Sequence, residues 1–222
     1  MEWLPDRHLR VDKFVDYKPR SDPPSSFAGG KISYVDRIDF TFIPDPSAQV
    51  AALRAASVDF AEIAAYDVAA TLEKEPNLTL YIPKPGHLMT IVFNLWEGPF
   101  KDVRLRRAVK LAIDPKEVMA SVGPSKFWRA TPDLFFADTP WASTVRREVF
   151  AEVNLDKAKA LVKEAGYEGT PIKGLNIPTY QRMYNVGLVA AEAMRRIGLN
   201  VALRDYEWAT AVGVFQGPDK SA

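Results

Sequence analysis

Between Ile172 and Arg204 the apolar residues change period twice, and no other stretch limits the fold as tightly. Ile172–Ile177 is a short β-type run. From about Met183 onward, Val186, Val189, Ala190, Ala193 and Ile197 fall on one face of a helix, and Gly198 follows the last of them as a left-handed terminator. Leu199–Arg204 is β-type again. Strand, helix and strand at this spacing make a βαβ unit with a right-handed crossover, so the chain is expected to be α/β.

The same alternation runs upstream. Ile38–Ile43 reads as a strand, and Ser47 is placed to cap a helix carrying Val50 and Leu53. Val58–Ile63 reads as a short strand, and Asp67 as the cap of a helix that Pro76 stops; Leu78–Ile82 and Leu88–Leu95 are further strands. After Asp102, Leu105, Ala108, Val109 and Ala112 recur at helical spacing, and Asp114-Pro115-Lys116-Glu117 sets a carboxylate cap, a first-position proline and a glutamate for the next helix. Asn154 caps a helix with Leu155, Ala158, Leu161, Val162 and Ala165 on one side, ended by Gly166. The expected architecture is a mixed central sheet of Ile38–Ile43, Leu88–Leu95, Ile172–Ile177 and Leu199–Arg204, flanked by the helices from Asp102 and Met183. Ahead of it, Leu9–Val15 alternates like a half-buried strand, and the proline-rich stretch from Lys18 to Ser26 is a surface loop. The tail from Gly217 to Ala222 is expected to be disordered.

Composition narrows the chemistry. The 222 residues include 29 basic and 28 acidic side chains, a balance that selects neither for nucleic acid nor for an anionic membrane. There is no cysteine, and the two histidines, His8 and His87, cannot build a histidine-rich metal cluster. No cofactor is expected. The only glycine pair, Gly29-Gly30, lacks the lysine-serine or third glycine of a phosphate loop, and no Gly-x-Ser-x-Gly elbow occurs. No run approaches the ~20 apolar residues of a membrane-spanning helix, and the N-terminus has no basic region followed by an apolar run.

A set of ordered blocks points to a family. They are Ile43-Pro44-Asp45-Pro46-Ser47-Ala48-Gln49, Leu53-Arg54-Ala55-Ala56-Ser57-Val58-Asp59-Phe60, Phe93-Asn94, and Pro99 to Ala108 with Ala112-Ile113-Asp114. Asp156 to Leu161 with Glu164-Ala165-Gly166-Tyr167, then Ile197 to Val201 with Glu207-Trp208, follow in the same order. This succession resembles the dipeptide, oligopeptide and nickel-binding solute-binding proteins of ABC importers.

The resemblance implies a periplasmic-binding-protein-like lobe, one of two that close on a solute and deliver it to membrane permease subunits. It divides the chain into a hinge-approaching strand and loop at 1–33, a second lobe at 34–216 and the tail at 217–222. The first lobe, an export signal and the C-terminal return across the hinge are expected to lie outside this sequence, with the full-length protein periplasmic or otherwise extracytoplasmic, directed there by a signal or a lipid anchor. The implied partners are a peptide or similar solute and the ABC permease, with no nucleic acid.

Carried onto this sequence, the ligand-side positions are Tyr66 and Asp67, His87 and Met89, and Tyr180, Arg182 and Tyr184. Three of them have a plainer reading beside the functional one. Asp67 serves equally as a helix cap and His87 as a surface histidine; Arg182 is either a bidentate carboxylate partner or a solvated arginine. Trp96, Phe127, Trp128, Phe135, Phe136 and Trp141 either line a pocket or fill the core. Two other functions remain open: a hydrolase built on carboxylates such as Asp67 or Asp138, which needs two of them within about 5–10 Å, and a regulatory or scaffold module that kept the fold and lost transport.

Overall fold

The computed structural model describes residues 1–25, 27–62, 66–83, 86, 88–131, 133, 135–145 and 147–216. The chain divides into two compact units, Met1–Asp59 and Phe60–Ala222. The boundary expected at 33/34 falls inside the first unit, between two strands that pair with each other.

The first unit is an antiparallel sheet followed by a helix: β1 (Glu2–Leu4), β2 (His8–Asp12), β3 (Arg37–Thr41) and α1 (Pro46–Arg54). Register gives the sheet two unlike faces. Glu2, Arg10 and Asp39 stand in one cross-strand row, with Asp12 opposite Arg37 on the same face. Arg37 Nε donates to Asp12 Oδ1 at 2.7 Å, and that hydrogen bond holds the Asp12 carboxyl below its usual range; Arg10 does the same for Asp39. On the other face Trp3, Leu9 and Phe40 form a row beside Val11 and Ile38. That face is apolar, yet Trp3 is 65% exposed and Phe40 48%.

Between β2 and β3 the proline-rich loop closes on itself: the Gly30 amide donates to the Asp22 carbonyl at 2.9 Å, and Ser25 bridges Ala28. Gly29 sits at φ 76°, and a Cβ there would lie 2.0 Å from the Pro23 carbonyl oxygen, so the glycine pair is needed for loop closure. The cap of α1 is Asp45, whose carboxylate accepts from the Ala48 amide at 2.7 Å. Ser47, the expected cap, is inside the helix, because Pro46 already suits the first helical position.

In the second unit come α2 (Tyr66–Thr71), a 3-10 turn at Leu72–Lys74, another at Pro99–Lys101, α3 (Val103–Ala112), α4 (Pro115–Ala120) and a turn at Ser125–Phe127. Then follow α5 (Arg147–Ala151), α6 (Leu155–Glu164), β4 (Ile172–Asn176), α7 (Gln181–Arg196), β5 (Val201–Asp205) and α8 (Trp208–Gln216). β4 and β5 are parallel, with Ile172 opposite Val201 and Asn176 opposite Asp205, and α7 makes the crossover as expected. Asp102, Asp114 and Asn154 each accept a backbone amide at the start of α3, α4 and α6. One core joins these pieces: Leu105, Ala108, Val109 and Ala112 of α3, Ala158 and Val162 of α6, Ala190, Ala191 and Met194 of α7, and Ile172 and Val201 of the sheet.

The fold class is α/β as expected, but the single central sheet is not present. Among the described residues β3 belongs to the antiparallel sheet of the first unit, while β4 and β5 form a separate two-stranded sheet. Of the expected strand Val58–Ile63 the residues 58–62 are described, and neither they nor Leu78–Ile82 and Leu88–Leu95 have a ladder partner among the described residues; Ile63 lies outside them. The expected tail lies outside the described residues, and no helix among them is long and apolar enough to cross a membrane.

Gly198 has φ 92°, the left-handed conformation expected of a helix terminator. Gly198→Val is predicted to destabilise the chain by about 1–2 kcal/mol through left-handed strain alone, because an added Cβ meets no atom within 4 Å. A shift in denaturant midpoint at constant slope measures it.

Candidate functional site

The carboxyl ends of β4 and β5 lead into the starts of α7 and α8, and open parallel sheets bind ligands on that side. Arg182 lies in the first turn of α7, reached from β4 through the short loop 177–180. Its Nη1 donates to the Tyr66 hydroxyl at 2.8 Å, a contact between residues 116 positions apart. The guanidinium carbon also stands 5.3 Å from the centre of the Tyr66 ring. Tyr66 in turn stacks on Phe127, with ring centres 5.2 Å apart and planes 25° from parallel. Lys126 places its ammonium 5.0 Å from the Phe127 ring centre and pairs with Glu73. The result is a stack of cation, ring, ring and cation drawn from α2, the turn at Ser125–Phe127 and α7.

Backbone constraints hold this stack in place. Gly123, at φ 151°, packs so closely that an added Cβ would lie 2.9 Å from Tyr66 Cβ. Its carbonyl accepts from Trp128 Nε1 at 2.7 Å. Asn185 Nδ2 donates to the Ser121 carbonyl at 2.8 Å, and Gln181 Nε2 donates to Asn185 Oδ1 at 2.7 Å, tying the first turns of α7 to the end of α4. At the far end of α7, Arg196 Nη1 donates to Glu117 Oε2 at 3.1 Å. This hydrogen bond and its charge hold the Glu117 carboxyl below the usual carboxylate range. α7 is therefore fixed to both ends of α4, and Arg182 has a rigid base.

Of the seven residues carried over from the resemblance, the structure brings Tyr66 and Arg182 into direct contact. Tyr180, just before α7, meets Trp208 edge to face with ring centres 5.1 Å apart. Met89 and Tyr184 are half-buried and take no part in the hydrogen bonds or ring contacts of the stack. Asp67 is a helical residue of α2 and not its cap, because the helix already begins at Tyr66; its side chain lies outside the described residues. His87 also lies outside them.

Glu73, Gly123 and Asn185 carry no functional signal in the sequence, Lys126 only the weak one of its neighbour, Trp208 enters only through a family block, and Phe127 reads as either pocket or core. A cation beside an aromatic at Lys126-Phe127, after a glycine-proline turn, was the one local signal available.

The chemistry offered is recognition. A guanidinium seated on a ring and anchored through one nitrogen keeps a planar fork of donors for a carboxylate, and two stacked rings offer an apolar surface. Among the described residues, no carboxylate pairs with Arg182. Nor do three or more histidine, cysteine, aspartate or glutamate side chains gather there to hold a metal. Asp138, one of the carboxylates considered for hydrolysis, accepts from Arg129 Nη2 at 3.0 Å.

Residues 1–219 match the family profile of the bacterial extracellular solute-binding proteins, family 5 middle. The chain belongs to this family. Among curated relatives, a probable peptide ABC transporter periplasmic-binding protein of Sinorhizobium fredii is 32% identical over 210 residues, 92% of this chain and 39% of that protein. The oligopeptide-binding protein AppA of Bacillus subtilis is 24% identical over 236 residues, 98% of this chain and 40% of its own length. The same fold is present in the ABC transporter-associated periplasmic binding protein DppA from Helicobacter pylori, solved in complex with peptide STSA. It superposes with a TM-score of 0.72 at 22% identity over 96% of this chain and 39% of that one. The chain thus spans about two fifths of the length of the curated relatives it matches. The family and these relatives are substrate-binding proteins, and none of these comparisons favours a hydrolase.

Proposed function

We propose that this chain forms part of the solute-binding component of an ABC importer, outside the cytoplasm, and that Arg182 receives a carboxylate of a peptide or peptide-like solute. The observation that carries this reading is the seating of the Arg182 guanidinium on Tyr66 by hydrogen bond and ring contact together. An arginine serving only as a solvated surface charge has no need of such anchoring. The unit that holds the site, Phe60–Ala222, lies within the segment assigned above to the second of two lobes, apart from the tail. On this reading the other wall of the cleft comes from a first lobe, and the permease accepts the solute once the lobes reopen. Asp67, His87, Met89, Tyr180 and Tyr184 are read as lining the same wall.

Titration of a tripeptide and its C-terminal amide tests the role of Arg182. Charge-assisted hydrogen bonds contribute about 1.5–3 kcal/mol, so the free carboxylate should be preferred by roughly 10–150-fold, and Arg182→Met should abolish that preference. A preference that survives Arg182→Met would remove Arg182 from the site. One wall supplies only part of the contacts, and losing about 4 kcal/mol weakens binding a thousandfold. The 222-residue chain by itself is therefore expected to bind such a peptide in the millimolar range. Micromolar binding by this chain would replace the two-lobe cleft with a self-contained site.

A further inference from the structure

Tyr66 meets Arg182 through its hydroxyl and is itself held by two neighbours. Phe127 stacks on its ring, and Gly123 packs against its Cβ so closely that a side chain there would have no room. The turn that carries Phe127 is tied a second time to the segment following α2, where Lys126 pairs with Glu73. The Tyr66 hydroxyl is therefore a fixed acceptor before any ligand arrives. It occupies one nitrogen of the guanidinium, Nη1, and among the described residues Nε and Nη2 have no acceptor. Those two nitrogens share the side edge of the fork, where two N–H groups point the same way and match the two oxygens of a carboxylate.

A long arginine side chain loses rotamer freedom when it clamps a carboxylate at two points. A contact that removes this freedom beforehand raises affinity without touching the ligand. We propose, on the reading of Arg182 given above, that Tyr66 is the positioning residue of the site: by holding Nη1 it keeps the guanidinium in place with its Nε and Nη2 edge open to a solute carboxylate. Its hydroxyl acts on Arg182, and its ring transmits the rigidity of Phe127 and Gly123 to that hydroxyl.

Two measurements on the 222-residue chain test it. The first is nitrogen-15 relaxation of the Arg182 Nε–H group without ligand, its signal identified by its loss in Arg182→Met. Arg182 is expected to be as ordered as the α7 backbone in the parent, and mobile in Tyr66→Phe, which deletes the hydroxyl and keeps the ring on Phe127. The second is titration with trialanine and trialanine amide. Tyr66→Phe should cut the preference for acid over amide by about 3–10-fold, the size of one modest hydrogen bond, and leave affinity for the amide within about twofold. A merely structural role would weaken both ligands alike, and that result overturns the proposal. So does a guanidinium that stays ordered in Tyr66→Phe, since a lost preference would then come from direct contact of the hydroxyl with the solute. Failure of the Arg182 reading itself looks different: a parent that binds acid and amide alike removes Arg182 from the solute and takes this proposal with it. A parent that discriminates while Tyr66→Phe changes nothing overturns the positioning role alone.

Discussion

Leu105→Ala is expected to lower the unfolding free energy by about 2–5 kcal/mol, the range for deleting a buried leucine side chain where neighbours relax only in part. Leu105 is 3% exposed, and its helix neighbours Ala108 and Val109 are at 0% and 1%. Both of these share a core with Ala158 and Val162 of α6 and with Ala190 and Met194 of α7. Small residues at Ala108 and Ala158 let helices approach closely, and such an interface has little freedom to collapse into a new void. Whole domains of this kind are stable by only about 5–15 kcal/mol, so this one deletion removes a large share. Urea unfolding followed by circular dichroism measures it. A loss below about 1 kcal/mol would mean that the core built around α3 is looser than these exposures imply.

Gly187→Ala should also destabilise, against the ordinary rule for helices. In an exposed helix interior, glycine to alanine gains about 1 kcal/mol. At this point of α7, however, a Cβ would stand 2.5 Å from Asn176 Oδ1 and 3.1 Å from its Cγ. Asn176 is 3% exposed at the end of β4, so its carboxamide has little room to swing away. Overpacking of this kind costs about 1–3 kcal/mol, and the net sign is expected to be destabilising. Pairing the change with Asn176→Ala isolates the cause: removing the carboxamide makes room, and in that background Gly187→Ala should become neutral or stabilising. The same sign in both backgrounds would place the effect elsewhere.

The elements that were legible in the sequence are those whose signals are local. Asp102, Asp114 and Asn154 cap because a short polar side chain reaches an amide two or three residues on. Leu105, Ala108, Val109 and Ala112 face inward because helical geometry places them together. Gly198 was readable because only glycine adopts its φ without strain. Strands are different, since alternation shows which side of a run faces a core and says nothing of what its backbone pairs with. Hence strands form within Ile172–Ile177 and Leu199–Asp205, where a crossover helix forces the pairing, while Leu78–Ile82 and Leu88–Leu95, which also read as strands, have no ladder partner among the described residues.

The site divides along the same line. Tyr66 and Arg182 were named from their places in the resemblance, but their contact spans 116 positions and no local pattern encodes it. Phe127 becomes the second ring of the stack only once Gly123 turns the chain beneath Tyr66. Glu117 reads locally as the glutamate three residues past the Asp114 cap, while its partner in the structure is Arg196, 79 positions away.

The three-stranded sheet of the first unit bears on how any solution experiment with this chain is read. Environment-sensitive dyes fluoresce when they settle on apolar surface, and their uptake is commonly taken to mean that tertiary packing has been lost. A chain that carries Trp3, Ile38 and Phe40 at 65%, 45% and 48% exposure on one sheet face offers such a surface while fully folded. Bright dye signal from the native protein is then the signature of that face. Only its persistence after Trp3→Ser and Phe40→Thr, or the disappearance of the near-ultraviolet aromatic bands, would report a loosened interior.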